Sequence, residues 1–327
     1  MPDQTTYPKK MNKVLVIGAC GQLGTELTVA LRQLHGTANV IASDLKDQPV
    51  ELISDGPYEQ LDVMNATRLE QIVEDHDINQ IYHLAAILSA VGEKNPKMAW
   101  DLNINSLLSV LELGRKGVKK IYWPSSIAVF GPDTPKKRTP QYTVMNPNTV
   151  YGISKLAGER WCEYYFEKYG VDVRSIRYPG LIGYKAKPGG GTTDYAVDIF
   201  WKAILDRKYE CFLKEDSLLP MMYMDDAVRS TIELMEADPS KLTVRSSYNV
   251  SAISFSPEML QKQILKRYPD FEMTYQPDFR QSIADSWPNS ISDSEARIDW
   301  KWSPKFDLEK MTKTMLDNLE TILTTTK

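Results

Sequence analysis

Lys13-Val-Leu-Val-Ile17 runs directly into Gly18-Ala-Cys-Gly21-Gln-Leu-Gly24, and this junction decides the fold. A short continuous apolar run is what a strand buried on both faces of a parallel sheet requires. Behind it, Leu23, Leu27, Ala30, Leu31 and Leu34 return at helical spacing. Asn39-Val-Ile-Ala-Ser-Asp44 then reads as a second strand, ending in a carboxylate 20 residues after Gly24. Strand, glycine turn, helix, strand and acid in this order describe a dinucleotide site. Gly18 is expected to make the tight turn and Gly21 to let backbone approach a pyrophosphate. Gly24 is expected to let helix and strand pack closely, with the phosphates at the helix N-terminus. Asp44 is placed to accept from both ribose hydroxyls and to repel a 2′-phosphate, which favours NAD over NADP.

The alternation continues downstream. Gln80-Ile-Tyr-His-Leu-Ala-Ala86 reads as a strand, about Pro96 to Arg115 as a helix, and Lys120-Ile-Tyr-Trp-Pro124 and Val171 to Tyr178 as strands. Repeated β-α units call for an α/β fold with a doubly wound parallel sheet. Residues 1–182 are assigned to the dinucleotide-binding domain, with segments near 218–250 returning to it. Residues 183–327 then form mostly a smaller lobe and a terminal helix over the carboxyl ends of the strands, where such sheets bind ligands. Within this half, Lys185 to Gly191 reads as a glycine-rich loop and Asp194 to Leu205 as a helix. Ser254-Phe-Ser-Pro-Glu258 reads as a capped helix start. Leu308, Met311, Met315, Leu319 and Ile322 mark the amphipathic terminal helix.

The 327 residues are 42% hydrophobic and 25% charged, an ordinary soluble composition. A net charge of −4 gives no reason to expect nucleic acid or an anionic membrane. No apolar run approaches the roughly 20 residues of a membrane span. Cys20, Cys162 and Cys211 are too few and scattered for a disulfide framework, which points to a reducing intracellular compartment, cytoplasm or mitochondrial matrix. Asp3, Lys9, Lys10 and Lys13 do not make a secretory signal and poorly support a matrix leader. His35, His76 and His83 have no metal-ligand spacing to cysteine, so no metal is expected.

Thr149-Val-Tyr-Gly-Ile-Ser-Lys155 places a phenol and an ammonium one helical turn apart, on one face. A tyrosine acts as a base near neutral pH only if its pKa falls from about 10, and a neighbouring Lys⁺ favours the phenolate. Tyr151 is therefore the candidate base, with Lys155 lowering its pKa and binding nicotinamide-ribose hydroxyls. Ser125 and Ser126, at the end of a strand, compete to hold the substrate oxygen, with Ser126 preferred. Asp62 is a candidate for the adenine edge. His83, inside an apolar strand, reads as a satisfied buried histidine. Trp161, Tyr164, Tyr165 and Tyr169 read as core or helix-helix interface. Pro220-Met-Met-Tyr-Met224 reads as core beneath Asp225-Asp226, which could cap the next helix.

With these residues in view, the chain resembles the extended short-chain dehydrogenase/reductase family over nearly its whole length. The glycine turn, Asp62-Val63, Leu84-Ala-Ala86, Asn105, Ser125-Ser126 with Val129-Phe-Gly131, and Tyr151-x-x-x-Lys155 carry the resemblance. Longer strings resemble one branch, the short-chain L-threonine 3-dehydrogenases: Trp123 to Gly131, Pro188 to Asp198 and Asp278 to Pro288. Phe130 departs from the wider family, where sugar-nucleotide members often have Tyr. The resemblance implies a Rossmann-like sheet, a homodimer, and metal-free, NAD-dependent oxidation of the threonine 3-hydroxyl to 2-amino-3-ketobutyrate. It implies cofactor contacts from Gly18, Cys20, Gly21, Gln22, Leu23, Gly24, Asp44, Leu45, Asp62, Val63, Leu84, Ala85, Ala86, Asn105, Tyr151, Lys155, Tyr178 and Leu181. Substrate contacts are expected from Ser89, Ser126, Tyr151, Thr192, Thr193 and Trp287, with the glycine run before Thr192 suited to a loop that closes over a small zwitterion. Two other readings share the scaffold. One is a nucleotide-sugar epimerase or dehydratase, disfavoured by the lack of a basic cluster between Gly180 and Pro220. The other is a non-catalytic dinucleotide-binding regulator, whose usual sign is loss of Tyr151 or Lys155.

Overall fold

The computed structural model describes residues 12–186, 189 and 191–325. Lys9, Lys10 and Asp3, and Lys187, Pro188 and Gly190 of the glycine-rich loop, lie outside the described residues. The first half runs β1 (Val14–Ile17), α1 (Gln22–His35), β2 (Val40–Asp44), β3 (Tyr58–Gln60), α2 (Ala66–Asp75) and β4 (Gln80–His83). There follow α3 (Ser89–Lys94), α4 (Pro96–Trp100), α5 (Ser106–Lys116), β5 (Lys120–Tyr122), β6 (Ser125–Ser126), α6 (Val150–Tyr169) and β7 (Val173–Arg174). Six parallel strands form the central sheet in the order β3-β2-β1-β4-β5-β7. The reversal of order beside β1 opens the crevice at which such sheets bind ligands.

All four β1 residues are buried, and they alternate between two cores. Val14 and Val16 pack with Leu27 and Leu31 of α1, whereas Leu15 and Ile17 pack with Ile72 of α2 and Val110 of α5. Both faces of the sheet are thus covered by helices, which is why its strands carry no polar alternation.

Two expected elements are interrupted. The run from Pro96 to Lys116 contains a π turn, Asp101–Asn105, between α4 and α5. The strand expected over Val171–Tyr178 breaks at Ser175. There β7 stays beside β5, while β8 (Ile176–Tyr178) pairs with β6 and with a later strand. The Ser175 hydroxyl at this step meets that of Ser247 at 2.8 Å.

The remainder runs β9 (Gly180–Ile182), α7 (Tyr195–Leu205), β10 (Lys208–Cys211), β11 (Leu219–Tyr223), α8 (Met224–Glu236), β12 (Tyr248–Asn249) and β13 (Ile253–Phe255). It ends with α9 (Pro257–Leu265), β14 (Glu272–Tyr275), α10 (Arg280–Ser286), α11 (Ser294–Trp300) and α12 (Leu308–Thr325). Ser256 caps α9 by accepting from the Met259 N–H, with Pro257 in the first turn. Met311, Met315 and Leu319 of α12 are buried in a third core built with α7, α9 and Trp287.

Segments cross between the two halves. Ile127 to Phe130 belong to the lobe core, whereas Met222, Tyr248, Trp300 and Trp302 pack with Val14 and Val16. β11 faces both ways: Leu219, Met221 and Tyr223 enter the lobe core, and Met222 enters the nucleotide-side core. Asp225 and Asp226 make no side-chain cap on α8. Asp226 instead accepts from the Lys305 and Phe306 backbone N–H groups and pairs with Arg229, tying the C-terminal segment to α8.

Of the aromatic set on α6, Tyr165 is buried, but Trp161, Tyr164 and Tyr169 are 38%, 44% and 42% exposed, so most of it faces outward. No helix among the described residues is long and apolar enough to cross a membrane.

Candidate active site

The glycine turn is shaped by close approach. Gly18 has φ +83°, and a side chain there would meet the Ala85 backbone N at 2.8 Å. The Gly18 and Ala19 N–H groups donate to the Ser43 carbonyl, pinning the turn to β2. A Cβ on Gly24 would lie 2.1 Å from the Gly18 oxygen, whereas one on Gly21 would meet only that oxygen, at 3.3 Å. Gly24 therefore serves the packing of α1 on β1, and Gly21 keeps its open side toward the ligand crevice. The α1 N-terminus behind this cradle suits a diphosphate.

Asp44, at the end of β2, accepts from the Cys20 N–H at 3.0 Å. One carboxylate oxygen is thus held against the glycine turn. Hydrogen bonds to a charged group contribute about 1.5–3 kcal/mol. Asp44→Ala is accordingly expected to weaken NAD roughly tenfold or more and to narrow the preference over NADP. Paired cofactor titrations check this, and an unchanged NAD/NADP ratio refutes it. Leu45 beside it is 68% exposed. Asp62 is exposed and accepts from the Met64 N–H, while the Val63 side chain is buried in the core.

The reacting centre rests on α6. Thr149 caps the helix by accepting from the Gly152 N–H at 3.1 Å. A Cβ on Gly152 would lie 2.1 Å from the Ala128 oxygen, and one on Gly158 2.3 Å from the Trp123 ring. These two glycines let α6 press against the ends of β5 and β6. Tyr151 and Ser126 consequently line one cavity. Ser125 points the other way and donates to Glu159 at 2.6 Å, as alternation along a strand requires.

Lys155 is buried, donates to the Pro124 carbonyl at 2.6 Å and lies 4.3 Å over the Trp123 ring. Burial pushes Lys155 down to about 7. Burial also pushes Tyr151 up to about 12, against the opposing influence of Ser126. The expected lowering of the Tyr151 pKa by Lys155 is not the dominant effect here. The ammonium lies 5.6 Å from the phenol ring centre, and removal from water outweighs it. His83 is buried, bonds Ser106 through Nε2 at 2.9 Å, and is held at about 3 by burial and Lys155.

A cavity of about 290 Å³ runs from the glycine turn to Trp287. It brings together Gly18, Gly21, Gln22, Leu23, Gly24, Leu84, Ala86, Ser89, Ser125, Ser126, Tyr151, Lys155, Tyr178, Leu181, Thr192, Thr193 and Trp287. Cys20, Asp44, Leu45, Asp62, Val63, Ala85 and Asn105 do not line it. Asn105 is exposed on the π turn. The asparagine that turns inward is Asn103, which bonds both backbone groups of Ile87 and the Ser154 hydroxyl.

Asp194, also missed, lines the cavity directly after the two threonines and accepts from the Gly191 N–H at 2.6 Å. An acid next to paired hydroxyls was the signal available for it. Thr192 is 1% exposed, and among the described residues its hydroxyl has no hydrogen-bond partner. A buried hydroxyl left unpaired is costly, which singles out Thr192 among the cavity-lining residues. Among the described residues, no three His, Cys, Asp or Glu side chains converge to hold a metal.

The family model of the NAD dependent epimerase/dehydratase family matches residues 14–251. An uncharacterized epimerase/dehydratase of Staphylococcus saprophyticus is 50% identical over 312 residues, 95% of this chain and 98% of its own length. Among solved structures, a partial consensus L-threonine 3-dehydrogenase is 55% identical with a TM-score of 0.93, covering 94% of this chain and 99% of that one. A GalE-like L-threonine dehydrogenase from Cupriavidus necator, in its holo form, is 54% identical with a TM-score of 0.92 and the same coverage of both chains.

Proposed function

Because the chain belongs to the NAD-dependent epimerase/dehydratase family, we propose that it oxidises the 3-hydroxyl of L-threonine to 2-amino-3-ketobutyrate. The unpaired Thr192 hydroxyl, in one small cavity with Tyr151 and Ser126, carries the reading. Likeness to L-threonine 3-dehydrogenases along almost the whole chain supports it. Among the described lining residues, Lys155 is the sole cation, so a nucleotide-diphosphate sugar finds no second counter-charge there.

When bound, NAD supplies the acceptor for the hydride leaving C3. Ser126 and Tyr151 hold the substrate hydroxyl, and its proton passes to the Tyr151 oxygen as the carbonyl forms. Lys155 as a cation favours the phenolate and holds ribose hydroxyls. Thr192 and Asp194 meet the polar groups of the amino acid, and Trp287 closes the far end. The side-chain chemistry assigns no step to a metal.

The decisive assay is NAD reduction with L-threonine, compared with UDP-sugars. Turnover of a UDP-sugar without threonine oxidation overturns the reading in favour of an epimerase or dehydratase. Thr192→Ala is expected to lower kcat/KM for threonine about tenfold to a hundredfold, the effect of one hydrogen bond to a polar substrate. Its Tm should hold or rise, because an unpaired buried hydroxyl is removed. A lower Tm with normal kinetics contradicts the assignment.

The proposal includes a homodimer, for which exposed Ile153, Trp161 and Tyr164 on α6 supply an apolar face. It also includes a reducing compartment, consistent with three free cysteines.

A further inference from the structure

Glu159 follows Lys155 by four residues and Tyr151 by eight, so the three share one face of α6. Its side chain is 0% exposed and its partner on β8, Arg177, 1%. Arg177 donates to both carboxylate oxygens, Nε to Oε1 at 2.9 Å and Nη2 to Oε2 at 2.7 Å. Its Nη1 donates to the Gln141 carbonyl and to Asn249 Oδ1. The third bond to Glu159 comes from Ser125, which lines the active-site cavity. A buried ion pair gives little stability over apolar packing, so position is the better account of its presence.

We propose that Glu159 is a positioning residue for the reacting centre. By holding the Ser125 hydroxyl it fixes the end of β6 from which Ser126 meets the cavity beside Tyr151, and it holds Lys155 as a cation.

The surroundings of Lys155 support the second role. Cys162 and Glu159 face it from its own helix, together with the Tyr151 ring, and His83 faces it from β4. Burial pushes the Cys162 thiol far up, so it stays neutral, and His83 is neutral as well. That leaves Glu159 as the anion among these groups, with Arg177 as its own counter-charge.

The inference rests on the dehydrogenase reading for the task of Ser126, but its charge arm is read without substrate. NAD affinity is measured by titration across the neutral and alkaline range for wild type and Glu159→Gln, with Tm as the check on folding. Removing the anion makes Lys155 lose its proton at lower pH. The pH at which NAD affinity declines should therefore move down by about one unit or more. An unchanged profile in folded Glu159→Gln overturns the charge role, whatever threonine assays show.

Glu159→Asp keeps the charge but draws the carboxylate away from Ser125, and Ser125→Ala removes the bond from the other side. Both should keep the wild-type NAD profile while threonine turnover drops about tenfold, the effect of a misplaced reacting group. Wild-type turnover in both variants overturns the serine role. If Glu159→Gln does not fold, Glu159→Asp decides the charge role as well, since a shifted NAD profile with the charge retained refutes it.

Discussion

Tyr151→Phe is expected to lower threonine turnover about 10² to 10⁴-fold, the range a positioned acid-base group contributes. The ring is half-buried against the lobe core, so a phenyl of the same shape keeps the packing. What is lost is the oxygen that lines the cavity with Ser126 and would take the substrate proton. NAD affinity should fall by no more than about tenfold, because one neutral hydrogen bond contributes only about 0.5–1.5 kcal/mol. Burial holds Tyr151 at about 12, so the phenolate is scarce at neutral pH. With NAD saturating, so that bound ribose keeps Lys155 a cation, wild-type turnover should therefore rise with pH as deprotonation becomes easier, and the residual rate of Tyr151→Phe should lack that rise. Steady-state kinetics over a pH series check both statements. Near-normal turnover in Tyr151→Phe would remove Tyr151 from the reaction.

Lys155→Met should damage both binding and rate. Methionine keeps the apolar stem against Trp123, so the change removes the ammonium and its bond to the Pro124 carbonyl. Losing a charged donor to ribose hydroxyls is expected to weaken NAD about tenfold to a hundredfold. Turnover should fall further, since the cation no longer favours the Tyr151 phenolate. The sign of the pH effect follows from Lys155 lying near 7. Below that pH the lysine is a cation and binds NAD well. Above it the lysine is neutral and affinity declines, so binding is accompanied by proton uptake. In Lys155→Met the NAD affinity should be independent of pH over that interval. Calorimetric titration in buffers of different ionisation enthalpy reads the proton uptake directly, and equal uptake in the variant rules out Lys155 as its source.

The parts of the site that sequence reading located are those set by local spacing. The glycine turn, Asp44 and the Tyr151–Lys155 pair each depend on residues within one β-α-β unit or one helical turn. The parts it missed depend on partners far away in the chain. Spacing favours Ser126 over Ser125 only weakly, whereas Glu159, 34 residues on, visibly takes the first of them. Asn103 rather than Asn105 turns inward because a π turn changes the phase of the helix, and no regular periodicity announces that. Asp226 looked like a helix cap, but its partners are backbone groups 79 and 80 residues later. Spacing correctly suggested that Lys155 is near Tyr151, but the balance of burial against charge is a property of the packed site.

The two-faced strand β11 has a consequence for how the chain is made. Val14 and Val16, among the first residues described, share a core with Met222, Tyr248 and Trp302. A ribosome must therefore deliver most of the polypeptide before that core is complete. The early β-α units emerge with apolar surface awaiting a partner still to be synthesised, the situation in which nascent chains engage chaperones. Completion then couples both halves in one cooperative step, because β11 cannot leave one core without opening the other.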